Sequence, residues 1–142
     1  MSVPVPINYL AVIAAAAASM VIGSLWYGSL FGKQWAALMG WAPEKIEAMK
    51  QQGKKPYFFA FLGSLVMAYV LAHSLIFASA YLNVEGAQAG LTAGFWNWLG
   101  FIAPVSLSIV LWEGKSWKLW VLNNGYQLFS LLAMGVILAS WT

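Results

Sequence analysis

The chain has 142 residues, 62% of them hydrophobic and only 8% charged, with a mean hydropathy of +0.75. A water-soluble domain carries about 25% charged residues, so this chain has too little charge to solvate a globule. It has one histidine, no cysteine and a net charge of +3 in which every cation is a lysine, which excludes disulfides, thiolate chemistry and sulfur-ligated metals.

Four apolar runs use most of the length, at about 8–31, 57–81, 88–112 and 117–141. Each has about 24 residues, or about 36 Å as an α-helix, enough to cross a hydrocarbon core of about 30 Å with some tilt. Their interiors carry no ionised group and no polar stripe of the kind a water-facing helix needs. The expected fold is an all-α integral membrane protein, one domain built as a four-transmembrane-helix bundle.

The leader, 1–7, is expected to be extended by Pro4 and Pro6. The first run contains Ala14–Ala18, as a signal peptide would, but no basic residue precedes it and it continues through Trp26 and Tyr27 to Phe31. It reads as a retained helix. The segment 32–56 is the one sizeable polar region and holds Lys33, Lys45, Lys50, Lys54 and Lys55. Its first part can lie along the headgroups with Trp35 and Met39 dipping in. Gly40 breaks it. Pro43, followed by Glu44 and Glu47 and then Lys50, predicts a short surface helix whose charges suit its dipole, although Ala42 is a poor cap.

The second run leads to a short link near 82–87 that holds Glu85. The third carries Pro104, which frees the carbonyl of Gly100 and predicts a kink. A second short link, 113–116, holds Glu113 and Lys115, and Lys118 follows at the start of the fourth run. Short links make consecutive helices antiparallel neighbours. All seven lysines then fall on one side of the membrane. Lysine-rich loops stay in the cytoplasm, so both termini are expected outside. Lys33, Lys54, Lys55, Lys115 and Lys118 are expected contacts for anionic lipid headgroups, and Glu113 is expected at the cytoplasmic boundary, either snorkelling or acting as a gate.

Polar side chains at membrane depth are costly and need a partner or a purpose. Counted at about 1.5 Å per residue, His73, Asn97, Ser19 and Ser130 come to one level, about 14–16 Å from the outer ends of their helices. Tyr27, Ser64, Ser106, Asn123, Asn124 and Gln127 come to a second level, about 20–25 Å down. Gln127 shares a helix face with Asn123 or Asn124. Two readings stand. These groups bond one another and hold the helices together, or they line a path or pocket for a solute, with His73 as a titratable relay. On the first reading His73→Ala lowers stability in detergent. The small residues Ala11, Ala15, Ser19 and Gly23, and the pair Gly90 and Gly94, allow close helix approach inside the chain or against a second copy. The strings Leu25-Trp26-Tyr27-Gly28 and Leu111-Trp112-Glu113-Gly114 form a weak internal match between parallel halves.

Several strings are more specific than composition. They are Asn8-Tyr9-Leu10-Ala11-Val12, Gly23-Ser24-Leu25-Trp26-Tyr27-Gly28-Ser29-Leu30-Phe31-Gly32-Lys33, Trp98-Leu99-Gly100-Phe101, Trp112-Glu113-Gly114-Lys115 and Met134-Gly135-Val136-Ile137-Leu138, together with Tyr126. Over nearly its whole length the chain resembles the bacterial domain-of-unknown-function family 1761. It differs in having Ser29 and Ser116 where proline is common, and Ala42 where a Ser or Thr cap is usual. The resemblance implies a small four-helix protein of the bacterial inner membrane and no activity.

No cofactor, metal or nucleic-acid partner is expected, and membrane lipids suffice as partners for the lysines. One His with neither Cys nor Asp does not make a zinc site. Paired carboxylates and a nucleophile–base set are lacking, so no enzyme is expected. The expected function is that of a structural, accessory or oligomer-forming membrane protein. The alternative is a small transporter or channel, its solute unknown, with a polar path through His73 and Asn97.

Overall fold

The structure is a computed structural model that describes residues 6–141; the part of the leader that holds Pro4 lies outside the described residues. Helix α1 (Tyr9–Leu25) continues without interruption into a widened π turn, Trp26–Leu30. Two short helices follow, α2 (Gly32–Met39) and α3 (Pro43–Lys50), and then the long α4 (Lys55–Leu82). Helix α5 (Gly86–Asn97) runs into a second π turn, Trp98–Ile102, and on through the short α6 (Ala103–Ser106) and α7 (Ser108–Leu111). Helix α8 (Trp117–Ser140) closes the chain. Four stretches are long and apolar enough to cross a membrane: Tyr9–Leu30, Lys55–Leu82, Gly86–Leu111 and Trp117–Ser140. Their ends fall within two residues of the apolar runs in the sequence.

Local chemistry sets the ends of these helices. Asn8 caps α1, its side-chain oxygen accepting from the Ala11 N–H at 3.2 Å. Its amide also donates to the Trp141 carbonyl at 3.0 Å, which ties the start of α1 to the end of α8. Gly40 ends α2 in the left-handed region, φ 71°, and α3 starts at Pro43 with no side-chain cap from Ala42, as the pattern predicts. Ser116 is the N-cap of α8: its hydroxyl accepts from the Leu119 N–H at 3.3 Å.

Helix α1 packs on α4 and α8, α5 packs on the same two, and α4 touches α8 between them. In the half of the molecule away from the lysines, Ala11, Ala15, Ala68, Leu71, Ala93, Leu131 and Met134 form a buried apolar core. The closest approach is between α5 and α8. A Cβ on Gly90 would collide with the carbonyl of Gly135, and one on Gly135 with that of Gly90. A Cβ on Gly94 would stand 2.7 Å from the Leu131 carbonyl oxygen. On α1, Ala11, Ala15 and Ser19 are buried and Gly23 faces the Tyr126 ring. Both small-residue stripes therefore pack inside the chain.

The expected distortion at Pro104 spreads over several residues. The widened turn Trp98–Ile102 precedes the proline, and the helix is interrupted again at Leu107, whose N–H reaches back three residues to the Pro104 carbonyl at 3.3 Å. The π turn in the first span has no proline. There the Phe31 N–H bonds the Trp26 carbonyl, five residues back, at 2.8 Å.

Candidate functional site

The first π turn closes its span and the second lies inside its span, and Tyr27 of the one and Ile102 of the other both line a cleft of about 500 Å³. One wall is Ile102, Ser106, Ile109 and Glu113, which recur at helical spacing along the third span. The facing wall is Leu119, Asn123, Asn124 and Gln127 on α8. Tyr27 of the first π turn and Trp35 and Met39 of α2 form the third side, with Lys115 at the mouth.

The polar groups of the cleft divide by whether the protein itself satisfies them. Asn124 is 3% exposed and fully engaged: its amide nitrogen donates to Ser106 Oγ at 2.9 Å and to the Trp120 carbonyl at 3.0 Å. The Tyr27 hydroxyl donates to Asn123 Oδ1 at 2.8 Å, and the Asn123 NH₂ has no partner among the described residues. Gln127 is half-buried and makes no side-chain hydrogen bond among the described residues. Lys115 Nζ donates to the Met39 carbonyl at 3.1 Å, placing a cation at the C-terminal end of α2, where the helix dipole favours it. The Trp35 ring meets Tyr27 edge-on at 5.7 Å and Trp41 at 4.9 Å, and Lys45 sits over Trp41 at 4.7 Å. Helix α2 is thereby fastened beside the cleft through Trp35 and Met39.

A family model described as a protein of unknown function (DUF1761) matches residues 10–139. The chain belongs to the DUF1761 family. No curated protein and no solved structure matches it. The string that carries the resemblance most specifically, Leu25 to Lys33, is in this DUF1761 chain the segment that forms the first π turn and presents Tyr27 to the cleft.

The depth arithmetic proves half right about which polar residues meet. Tyr27, Ser106, Asn123, Asn124 and Gln127 do gather at one level, whereas Ser64 lies elsewhere, nearest the Met20 sulfur at 4.0 Å. The other predicted level separates into three parts. Ser130 Oγ donates to Ser19 Oγ at 2.6 Å, and Tyr126 joins them through the Ser19 carbonyl at 3.2 Å. Asn97 donates to Ser74 Oγ at 3.0 Å and to its own helix at Ala93. His73 turns back to the Tyr69 carbonyl at 2.9 Å, with the Tyr69 ring against it. Among the described residues His73 and Asn97 are not bonded to each other, and Asn97 lines an apolar cleft with Val66, Val70 and Phe101. Lys33, Lys54, Lys55 and Lys118 are exposed, and Glu113 is exposed at the cleft mouth.

The stability expectation moves with this geometry. Asn97→Ala is expected to lower the melting temperature in mild detergent more than His73→Ala, because only Asn97 joins two spans. Interhelical hydrogen bonds in membranes average about 0.6 kcal/mol, so the difference is small but measurable by thermal unfolding. Equal losses would contradict it.

The internal match is also relocated. Leu111 ends α7 and Trp112 begins a turn, so Leu111–Gly114 is not the counterpart of Leu25–Gly28. The two π turns are instead Trp26-Tyr27-Gly28-Ser29-Leu30 and Trp98-Leu99-Gly100-Phe101-Ile102, both Trp-x-Gly-x-aliphatic. Sequence reasoning missed Ile102, Ile109, Trp35 and Met39 as cleft residues. The repeated pentapeptide is the signal that marks where the spans widen.

Proposed function

We propose that this protein is a non-enzymatic multi-pass protein of the bacterial inner membrane that binds a small polar solute from the cytoplasmic side. The single observation that carries this is the cleft at the lysine-bearing end, which presents amide groups with no partner among the described residues. Ligand sites are typically concave, about 300–1,000 Å³ in volume, and apolar with a few convergent polar groups. Beyond the cleft along α8 lie Ser130, Leu131 and Met134, all buried. The lysine bias supports a cytoplasmic opening with both termini outside. Glu113 is the one carboxylate among its lining residues, with no second acid or thiol beside it, so general acid–base or nucleophilic turnover lacks its usual partners. A structural or accessory role is the second reading, favoured by the half away from the lysines, where the Ser19–Ser130 and Asn97–Ser74 pairs satisfy each other.

The absence of native cysteine makes the test clean. Ile109→Cys, in the cleft, is expected to react with a membrane-impermeant thiol reagent applied to the cytoplasmic face of membrane vesicles and not to the other face. Ala93→Cys, in the buried core, is expected to react from neither. If Ile109→Cys is inert from both faces, the cleft is packed shut and the structural reading stands alone. Reaction from the periplasmic face alone overturns the orientation.

A further inference from the structure

The unused hydrogen-bonding groups of the cleft have a chemistry of their own. Glu113 and Lys115, the two ionisable residues of opposite charge, are both at the mouth. From Leu119 to Gln127 the α8 wall runs about 12 Å inward, at about 1.5 Å per residue. The inner end of that wall holds only amides and, across from it, hydroxyls: Asn123, Asn124, Gln127, Tyr27 and Ser106. An ionised group carried there would lose its hydration and find no opposite charge, at a cost that strongly disfavours entry.

A neutral polar group meets the opposite situation. The Tyr27 hydroxyl occupies Asn123 Oδ1 and fixes that amide with its NH₂ free as a donor among the described residues. Four residues on, and so on the same helix face, Gln127 keeps both its carbonyl and its NH₂ free among the described residues. A free carboxamide pairs in bidentate fashion with an edge that carries a donor beside an acceptor, as Asn and Gln do with adenine. Tyr27 and Trp35 add aromatic rings to the lining, a residue type that favours planar ligands.

Resting on the solute-binding reading above, we infer that the cleft selects an uncharged planar molecule with an amide-type edge: a primary amide, a cyclic amide or a nucleobase. Gln127 reads that edge, Asn123 adds a donor, and the opposite charges at the mouth cancel rather than attract an ion.

The test uses the full chain with Ile109→Cys as reporter. Uracil and propionamide are the probes, and propionate and propylammonium are charged comparators of similar size. The probes are expected to slow cytoplasmic-face labelling at concentrations where the comparators do not. Adding Gln127→Leu is expected to leave labelling itself intact and to raise the probe concentration needed about tenfold, the loss expected when a paired amide is removed. Equal protection by the charged comparators, protection unchanged by Gln127→Leu, or no protection by either probe overturns the inference while the open cleft stands. Ile109→Cys that never labels overturns the cleft reading itself. Labelling of the Gln127→Leu chain at the parent rate is the control that the cleft has kept its shape.

Discussion

Gly90→Val is expected to destabilise the fold by about 3 kcal/mol, the upper end of overpacking effects, and to lower the melting temperature in mild detergent by several degrees. The reason is what the added carbon would strike. The obstacle is the Gly135 carbonyl, part of the α8 backbone, which has no rotamer by which to move aside. Helices α5 and α8 must separate over the whole crossing, loosening Ala89, Ala93, Leu131 and Met134 together. In a bilayer such loss of packing is not offset by any hydrophobic preference for protein over lipid, because helix association there depends on van der Waals fit. Gly135→Val is expected to do the same, and the double variant less than the sum, since both break one contact. Gly63→Val is the control: its added carbon meets nothing within 4 Å, and stability is expected to hold. A shift for Gly90→Val below about 2 °C, less than about 1 kcal/mol in a chain of this size, would refute the account.

The same crossing explains what could be read in advance. Span length is an absolute property of a bilayer, so four apolar runs marked four helices to within two residues. The Gly90–Gly94 spacing announced a close approach but not its partner, because Gly135 is one small residue in an otherwise ordinary stretch of α8. Depth was legible and direction was not. Counting residues gives height along a helix, and it gathered Tyr27, Ser106, Asn123, Asn124 and Gln127 correctly. It gives no azimuth, and adjacent residues differ by about 100° around a helix of 3.6 residues per turn. His73 and Ser74 share a depth, yet only Ser74 meets Asn97. A π turn adds a residue to one turn and rotates everything after it, so the π turn at Trp98–Ile102 defeats any face assignment carried along the third span from its start.

Those turns lead to the second large effect. Trp26→Ala is expected to destabilise the fold by about 2 kcal/mol, below the range for a fully buried tryptophan because Trp26 is half-buried, and to disorder Tyr27 in the cleft. Trp26 holds the first π turn to α8 in three ways. Its Nε1 donates to the Leu122 carbonyl at 3.0 Å, its six-membered ring lies where a Cβ on Gly125 would come within 2.9 Å, and its ring centroid stands 4.8 Å from Phe31 and 5.6 Å from Phe129. Trp26→Phe keeps most of the ring and loses only the hydrogen bond, so about 1 kcal/mol is expected. Trp98 occupies the matching position of the second π turn, packed against the core, but its buried Nε1 has no partner among the described residues. There the same change removes an unsatisfied donor, and Trp98→Phe is expected to be neutral or stabilising. The two Phe variants thus ask whether the repeated pentapeptides do the same work. Thermal unfolding that ranks Trp98→Phe at or above the parent and Trp26→Phe below it supports one anchored turn and one unanchored turn. Equal losses would mean that the indole N–H of Trp98 is bonded after all, and that both turns are anchored alike.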